Sequence, residues 1–151
     1  MKNRGHKALA QDLSDAAARL LCPVLAESHT IEAVFAVPPS VQGRRFRGFS
    51  LPQMMESAIL RETGWSVLDP KLRRAYRGAV KSSKNLSRSQ RLSRRDSVVD
   101  SSGESENRGT LLLVDDVVTT GATLARCVER ARLQGFSKVI CFALAEHRPE
   151  S

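Results

Sequence analysis

Two adjacent acids and a short hydroxyl-rich stretch are the residues of this chain whose types and spacing could do chemistry. Asp115 and Asp116 follow the apolar run TLLLV at 110–114, and Val118, Thr119, Thr120, Gly121, Ala122 and Thr123 come soon after. Two ionised carboxylates side by side repel, so they call for donors such as sugar hydroxyls or for a hard cation such as Mg²⁺. The threonines and the glycine offer backbone N–H groups, hydroxyls and one position where an anion can come close. A helix predicted to start at about Ala122 turns its positive end to the same space. A carboxylate pair and an anion nest about one helical turn apart fit a ribose phosphate, the acids taking ribose hydroxyls and the loop a 5′-phosphate. The plainer reading is a capped turn between a strand and a helix.

The surrounding elements must put these groups in one place. TLLLV is a continuous apolar run, the pattern of a strand covered on both faces. A helix is expected from about Ala122 to Gln134, with Leu124, Val128 and Ala131 inward and Gly135 as its stop. KVICFALA at 138–145 reads as a second buried strand, and IEAVFAV at 31–37, closed by Pro38-Pro39, as a third. In an open parallel sheet, ligands bind at the carboxyl ends of the strands, where Asp115 and Asp116 are expected directly after theirs. Upstream, Leu9, Leu13, Ala17, Leu20 and Val24 recur at helical spacing over 8–26, with a bend or restart expected at Pro23. Ser50 is expected to cap a helix that carries Pro52 in its first turn, runs to about Arg61 and is ended by Gly64. Trp65 to Leu68 reads as a short strand. Strands alternating with helices predict one α/β domain over 1–151 with a mainly parallel sheet flanked by helices.

Length and composition agree with one globular domain. The chain has 151 residues, 41% hydrophobic and 26% charged, so global disorder is excluded. No apolar stretch approaches a membrane span, and the N-terminal MKNRGHKALAQDLSD lacks the apolar core of a secretory signal. A cytoplasmic protein without membrane insertion is expected. The three cysteines, Cys22, Cys127 and Cys141, are far apart and support neither a zinc ribbon nor a disulfide framework. Each sits in an apolar segment and is expected as a small buried thiol.

The net charge of +8 belongs to one segment. Residues 71–95 hold ten Lys and Arg and no acid. Three readings stand for it: a lid closing over an anionic leaving group, a surface for nucleic acid, or a solvated stretch. Tyr76 is its only aromatic, so stacking platforms for single strands are sparse. A short helix is expected after Ser87, and 96–109 reads as a mobile loop or an exposed hairpin, so that 71–109 form a basic lid and loop within the domain.

LLLVDDVVTTGAT at 111–123 resembles the signature of type I phosphoribosyltransferases, which bind phosphoribosyl pyrophosphate (PRPP) with Mg²⁺. AVPPSVQGRRFRGFS at 36–50 looks like the Val-Pro and Arg-Gly-Phe segment of the ComF-type competence family, the amidophosphoribosyltransferase-like branch, through Arg45, Arg47, Gly48 and Phe49. KNLSRSQRL at 84–92 is similar to that family's Gly-Leu-Ser and Arg-Leu segment. Together these stretches span most of 31–145. The sequence departs from the family in having no cysteine-rich zinc ribbon and in carrying Ser50-Leu51 where Asn-Gln usually follows Arg-Gly-Phe. Thr119 stands where 6-oxopurine salvage enzymes place an Asp that serves the base, and Thr cannot take that acid–base role at neutral pH.

The resemblance implies a ComF-like transferase with a small flexible hood. It would bind Mg²⁺ and PRPP and pass the phosphoribosyl group to a nitrogen nucleophile with release of pyrophosphate. Asp115 and Asp116 would hold the ribose and the metal, and Val118 to Thr123 the 5′-phosphate. Val37 and Pro38 would turn backbone toward the pyrophosphate, which Arg47 would pair with; a solvated basic loop is the other reading of Arg44, Arg45 and Arg47. The alternative is a non-catalytic PRPP- or nucleotide-binding module whose basic segment binds DNA or a partner in DNA uptake. A homodimer is compatible with either.

Overall fold

A computed structural model describes residues 3–38, 48–80 and 107–147 of the chain. The elements in order are α1 (Asn3–Ser28), β1 (Ile31–Ala36), α2 (Leu51–Thr63), β2 (Ser66–Val67), α3 (Pro70–Val80), β3 (Arg108–Val118), α4 (Ala122–Leu133) and β4 (Phe136–Glu146). The four strands form one sheet in the order β2-β1-β3-β4, and every pair is parallel. The fold is therefore α/β, a parallel sheet flanked by helices, as the strand–helix alternation requires.

Both faces of the central strands β1 and β3 are covered, which is why they are apolar runs and not alternating ones. The run 138–145, expected as a buried strand, lies in the edge strand β4, where its side chains are half-buried or exposed. Leu112 and Val114 of β3 join Val34, Met55, Ala58, Ile59, Ala18, Cys22 and Leu25 in a core between the sheet and α1 and α2. Leu111 and Leu113 point the other way, into a second core with Ala33, Phe35, Tyr76, Cys127 and Ala131 beneath α3 and α4. Successive side chains of β3 thus feed different cores, as a period of two demands.

Several boundaries have clear local causes. Gly64 ends α2 in the left-handed conformation (φ 70°), its N–H bonding to Leu60 O at 2.9 Å. Gly135 (φ 87°) turns the chain from α4 into β4. Asp69 precedes α3 and its Oδ1 accepts the N–H of Lys71 at 2.7 Å, with Pro70 at the first helical position where no N–H is needed.

Several expectations are corrected. Of the bend or restart expected at Pro23, the restart does not occur: α1 is one helix from Asn3 to Ser28 with Pro23 inside it. Its buried side is Ala10, Ser14, Ala18, Cys22 and Leu25, while Leu9, Leu13, Leu20 and Val24 are exposed. Small side chains let α1 lie close on its neighbours, so its larger ones are left outside. Ser50 occupies the N-cap of α2 by backbone only, through its carbonyl to Met54 N at 3.1 Å; its side chain makes no cap bond. Its buried Oγ finds no partner among the described residues. Cys22 and Cys127 are buried as expected, but Cys141 is exposed, because β4 is an edge strand with a neighbour on one side only. The first part of the basic segment is the helix α3, which the density of Lys and Arg hides from a periodicity reading. The expected helix after Ser87, most of the lid and the loop at 96–106 lie outside the described residues.

Candidate functional site

The strand order creates a crevice. From β1 the chain passes through α2 to β2 on one side; it then crosses to β3 on the other side of β1 and continues outward to β4. The direction of winding reverses between β1 and β3, and at such a reversal the connections leave the sheet toward opposite faces. The carboxyl ends of β1 and β3 flank that gap. They carry Val37-Pro38 and Asp115-Asp116.

β3 is longer than the apolar run predicts, and the acids lie within it. Ala36 pairs with Val114 and Val37 donates its N–H to Val114 O at 2.8 Å, which ends the contact with β1. Beyond that point only β4 continues, pairing with Asp115, Val117 and Val118 through Ala143, Ala145 and Glu146. This pairing keeps the two carboxylates in strand geometry on a ledge that overhangs β1. Each carboxylate folds back on the next peptide: Asp115 Oδ1 accepts Asp116 N–H at 2.8 Å, and Asp116 Oδ1 accepts Val117 N–H at 2.9 Å.

Partial burial pushes the Asp115 carboxyl up to about 6, with the negative charge of Asp116 and a hydrogen bond between the two side chains adding to it. The Asp116 N–H opposes the rise. The effect reaches the core: burial first, then the Asp115 charge, pushes the Cys127 thiol up to about 12. Asp115 is thus an acid that a cation or a set of hydroxyl donors would help to ionise.

The loop after β3 adds the second half of the site. Asp115, Val117 and Val118 and the whole run Thr119 to Leu124 line one shallow concavity. Gly121 adopts φ 71° at the N-cap of α4, a conformation that favours glycine, and its carbonyl accepts Ala125 N–H at 2.8 Å. Thr119, Thr120, Ala122 and Thr123 are exposed, and Thr120 Oγ1 lies 3.4 Å from Ala122 N. With glycine as cap residue, no side chain of its own closes the start of the helix. Val118 is half-buried, and its carbonyl accepts His147 N–H at 2.8 Å. A larger depression on the outer face of α4, between Ala125, Val128, Glu129, Arg132 and Leu133, is mostly apolar and holds neither acid of the pair.

Sequence reasoning and structure can be compared residue by residue. Asp115, Val118, Thr119, Thr120, Gly121, Ala122 and Thr123 come together, with Asp116 adjoining. Val37 contributes differently from the expectation. Its side chain is buried in the second core and its N–H is used by Val114, so only its carbonyl and Pro38, half-buried beside it, are available to a ligand. Arg47, like Arg44 and Arg45, lies outside the described residues.

Three residues that sequence reasoning missed hold the β1 end of the site. Where β2 stops, buried Glu56 of α2 takes its place and accepts Ala36 N–H on Oε1 at 3.0 Å. Its Oε2 accepts from Arg73 of α3, also at 3.0 Å. The Arg73 guanidinium sits 5.2 Å from the centre of the Phe35 ring, which in turn packs on Tyr76 with centroids 4.5 Å apart. Tyr76 donates to Gln134 Oε1 at 2.9 Å, and Gln134 Nε2 donates to Leu72 O at 3.1 Å. Arg73 and Tyr76 of the basic segment therefore belong to the body of the fold. A carboxylate on an otherwise apolar helix face was the available signal for Glu56, and the Asp69-Pro70 pair the signal for α3.

Among the described residues no group of three or more His, Cys, Asp or Glu side chains converges as a metal cage. Asp115 and Asp116, adjacent and partly exposed, are hard oxygen donors of the kind a divalent cation such as Mg²⁺ accepts. Among the described residues no helix is long and apolar enough to cross a membrane. No protein-family model, no curated protein and no solved structure matches the chain.

Proposed function

We propose that the protein is a ComF-like phosphoribosyltransferase that binds PRPP with Mg²⁺ and transfers the phosphoribosyl group to a nitrogen nucleophile. One observation carries the reading: an acid pair and a glycine-capped helix start adjoin at the carboxyl edge of a parallel sheet, beside its winding reversal. Each part of PRPP has a matching group there. Asp115 and Asp116 accept hydrogen bonds from the ribose hydroxyls. The N–H groups and hydroxyls of Thr119 to Thr123 take the 5′-phosphate, with the α4 dipole behind them. The Val37 carbonyl and Pro38 stand on the pyrophosphate side; Arg47, which the sequence resemblance assigns to the pyrophosphate, lies outside the described residues.

In the reaction a nitrogen lone pair forms a bond to the anomeric carbon as the bond from that carbon to the pyrophosphate oxygen breaks. The nitrogen gives up a proton to solvent or to the departing pyrophosphate. Asp115 and Asp116 would hold Mg²⁺, which when bound would supply charge neutralisation for the leaving group. The chain itself holds the ribose and the phosphate in fixed positions, so the rate gain comes from orientation and electrostatics without a covalent intermediate.

Calorimetric titration of PRPP with Mg²⁺ into the wild type and an Asp115→Asn/Asp116→Asn variant tests the site. Binding by the wild type and its loss in the variant are expected. A folded wild type that does not bind overturns the reading. Pyrophosphate release with a panel of amines and bases then separates the enzyme from a binding module, which would take up PRPP without turnover.

A further inference from the structure

Helix α1 carries an apolar stripe on the side away from the core. Leu9 is 67% exposed, Leu13 45%, Leu20 77% and Val24 62%. These are four of the seven large apolar side chains exposed among the described residues, and all four lie on one helix. Scattered singly they would need no account; aligned on one stripe they mark an interface.

The spacing states what kind of interface. Leu9, Leu13, Ala16 and Leu20 are separated by four, three and four residues, the alternation that keeps a seam facing a second helix. The seam is nearly self-complementary when read in opposite directions. In an antiparallel pair of two α1 helices, Leu9 faces Leu20 of the second copy and Leu13 faces its Ala16, so the layers run large on large at the ends and large on small in the middle. The small Ala16 next to the two-fold axis lets the helices come close. The same register brings exposed Asp12 beside Arg19 of the second copy, and by symmetry Arg19 beside its Asp12. A parallel pair would set Leu9 on Leu9 and Ala16 on Ala16, and would put Asp12 and Arg19 of the two copies on opposite flanks of the seam, where they cannot pair.

We propose that α1 is a dimerisation helix that pairs antiparallel with α1 of a second copy of this chain through Leu9, Leu13, Ala16 and Leu20, with Asp12 and Arg19 setting the register. The inference is independent of what the carboxylate site binds.

Sedimentation analysis of the full chain across the micromolar range tests it. The wild type is expected as a dimer. Leu13→Glu/Leu20→Glu is expected as a monomer that still melts cooperatively, at the temperature the wild type shows when diluted below its Kd, since both side chains are exposed in the single chain. Asp12→Arg alone and Arg19→Asp alone each set like charges together at two symmetric places and are expected to raise the dimer Kd by about tenfold. The exchanged variant Asp12→Arg/Arg19→Asp restores the opposite-charge pairs and the wild-type Kd. A monomeric wild type overturns the proposal. So does a dimer that survives the leucine changes, or a charge exchange that fails to restore what the single changes lose; this last comparison decides the matter even where the leucine variant does not fold.

Discussion

Asp115 carries the electrostatic tension of the site. Its carboxyl is raised from the ordinary 3.8 to about 6, first by burial and then by Asp116. The folded chain therefore holds this proton more tightly than the unfolded chain does. The stability linked to it is fully present below the unfolded value and is lost as pH rises through about 6. In metal-free buffer, Asp115→Asn is expected to stabilise the protein by about 1 kcal/mol near pH ~8, after discounting for solvent screening, and to add nothing near pH ~4. Urea unfolding at the two pH values measures this, and equal effects at both would contradict it. The acids and the Thr-Gly run were legible as a site because side-chain type and order alone specify them. That Asp115 is half-buried was not, since its burial depends on how far β4 extends beside it.

At the scale of elements, the clamp from Glu56 through Arg73 is the joint that fixes the end of β1. The Glu56 carboxylate is buried, so its charge depends on Arg73 and on Ala36 N–H. Arg73→Ala leaves that charge without its cation and is expected to cost about 2–3 kcal/mol. Glu56→Gln keeps an acceptor for Ala36 N–H and is expected to cost less, about 1 kcal/mol. Denaturant unfolding ranks them, and an Arg73→Ala variant as stable as the wild type would mean that the residue is a surface cation after all. Most elements could be read from the chain because apolar runs and glycine or proline stops coincide at their ends. Two readings failed for physical reasons. The periodicity of α1 identified a helix but not its buried side, because the close-packed side is made of Ala, Ser and Cys, which carry little hydrophobic signal. For α3, the buried residues are few, Tyr76 fully and Leu72 partly, among basic side chains that dominate the composition.

The whole molecule is built around one reversal of winding. Helices α1 and α2 cover one face of the sheet and α3 and α4 the other, so the helices that follow β1 and β3 lie on opposite faces, as the reversal between those strands requires. The sheet class followed from the order of apolar runs. The antiparallel seam on α1 did not, because a stripe of leucines reads equally well as core until the other side of the helix is seen to be filled.

The overhang of β3 past β1 has a practical consequence. Among the strands Asp115 to Val118 pair only with β4, and β4 draws its own support from the α4 side and from the core under α1 and α2. The ledge that bears the acids and the strand that bears Val37-Pro38 are thus anchored separately, meeting only up to Val114. The protein can be treated as a frame with an exchangeable cassette from Thr119 to Gly121. Transplanting it is expected to reshape the concavity it lines while the strands stay as they are.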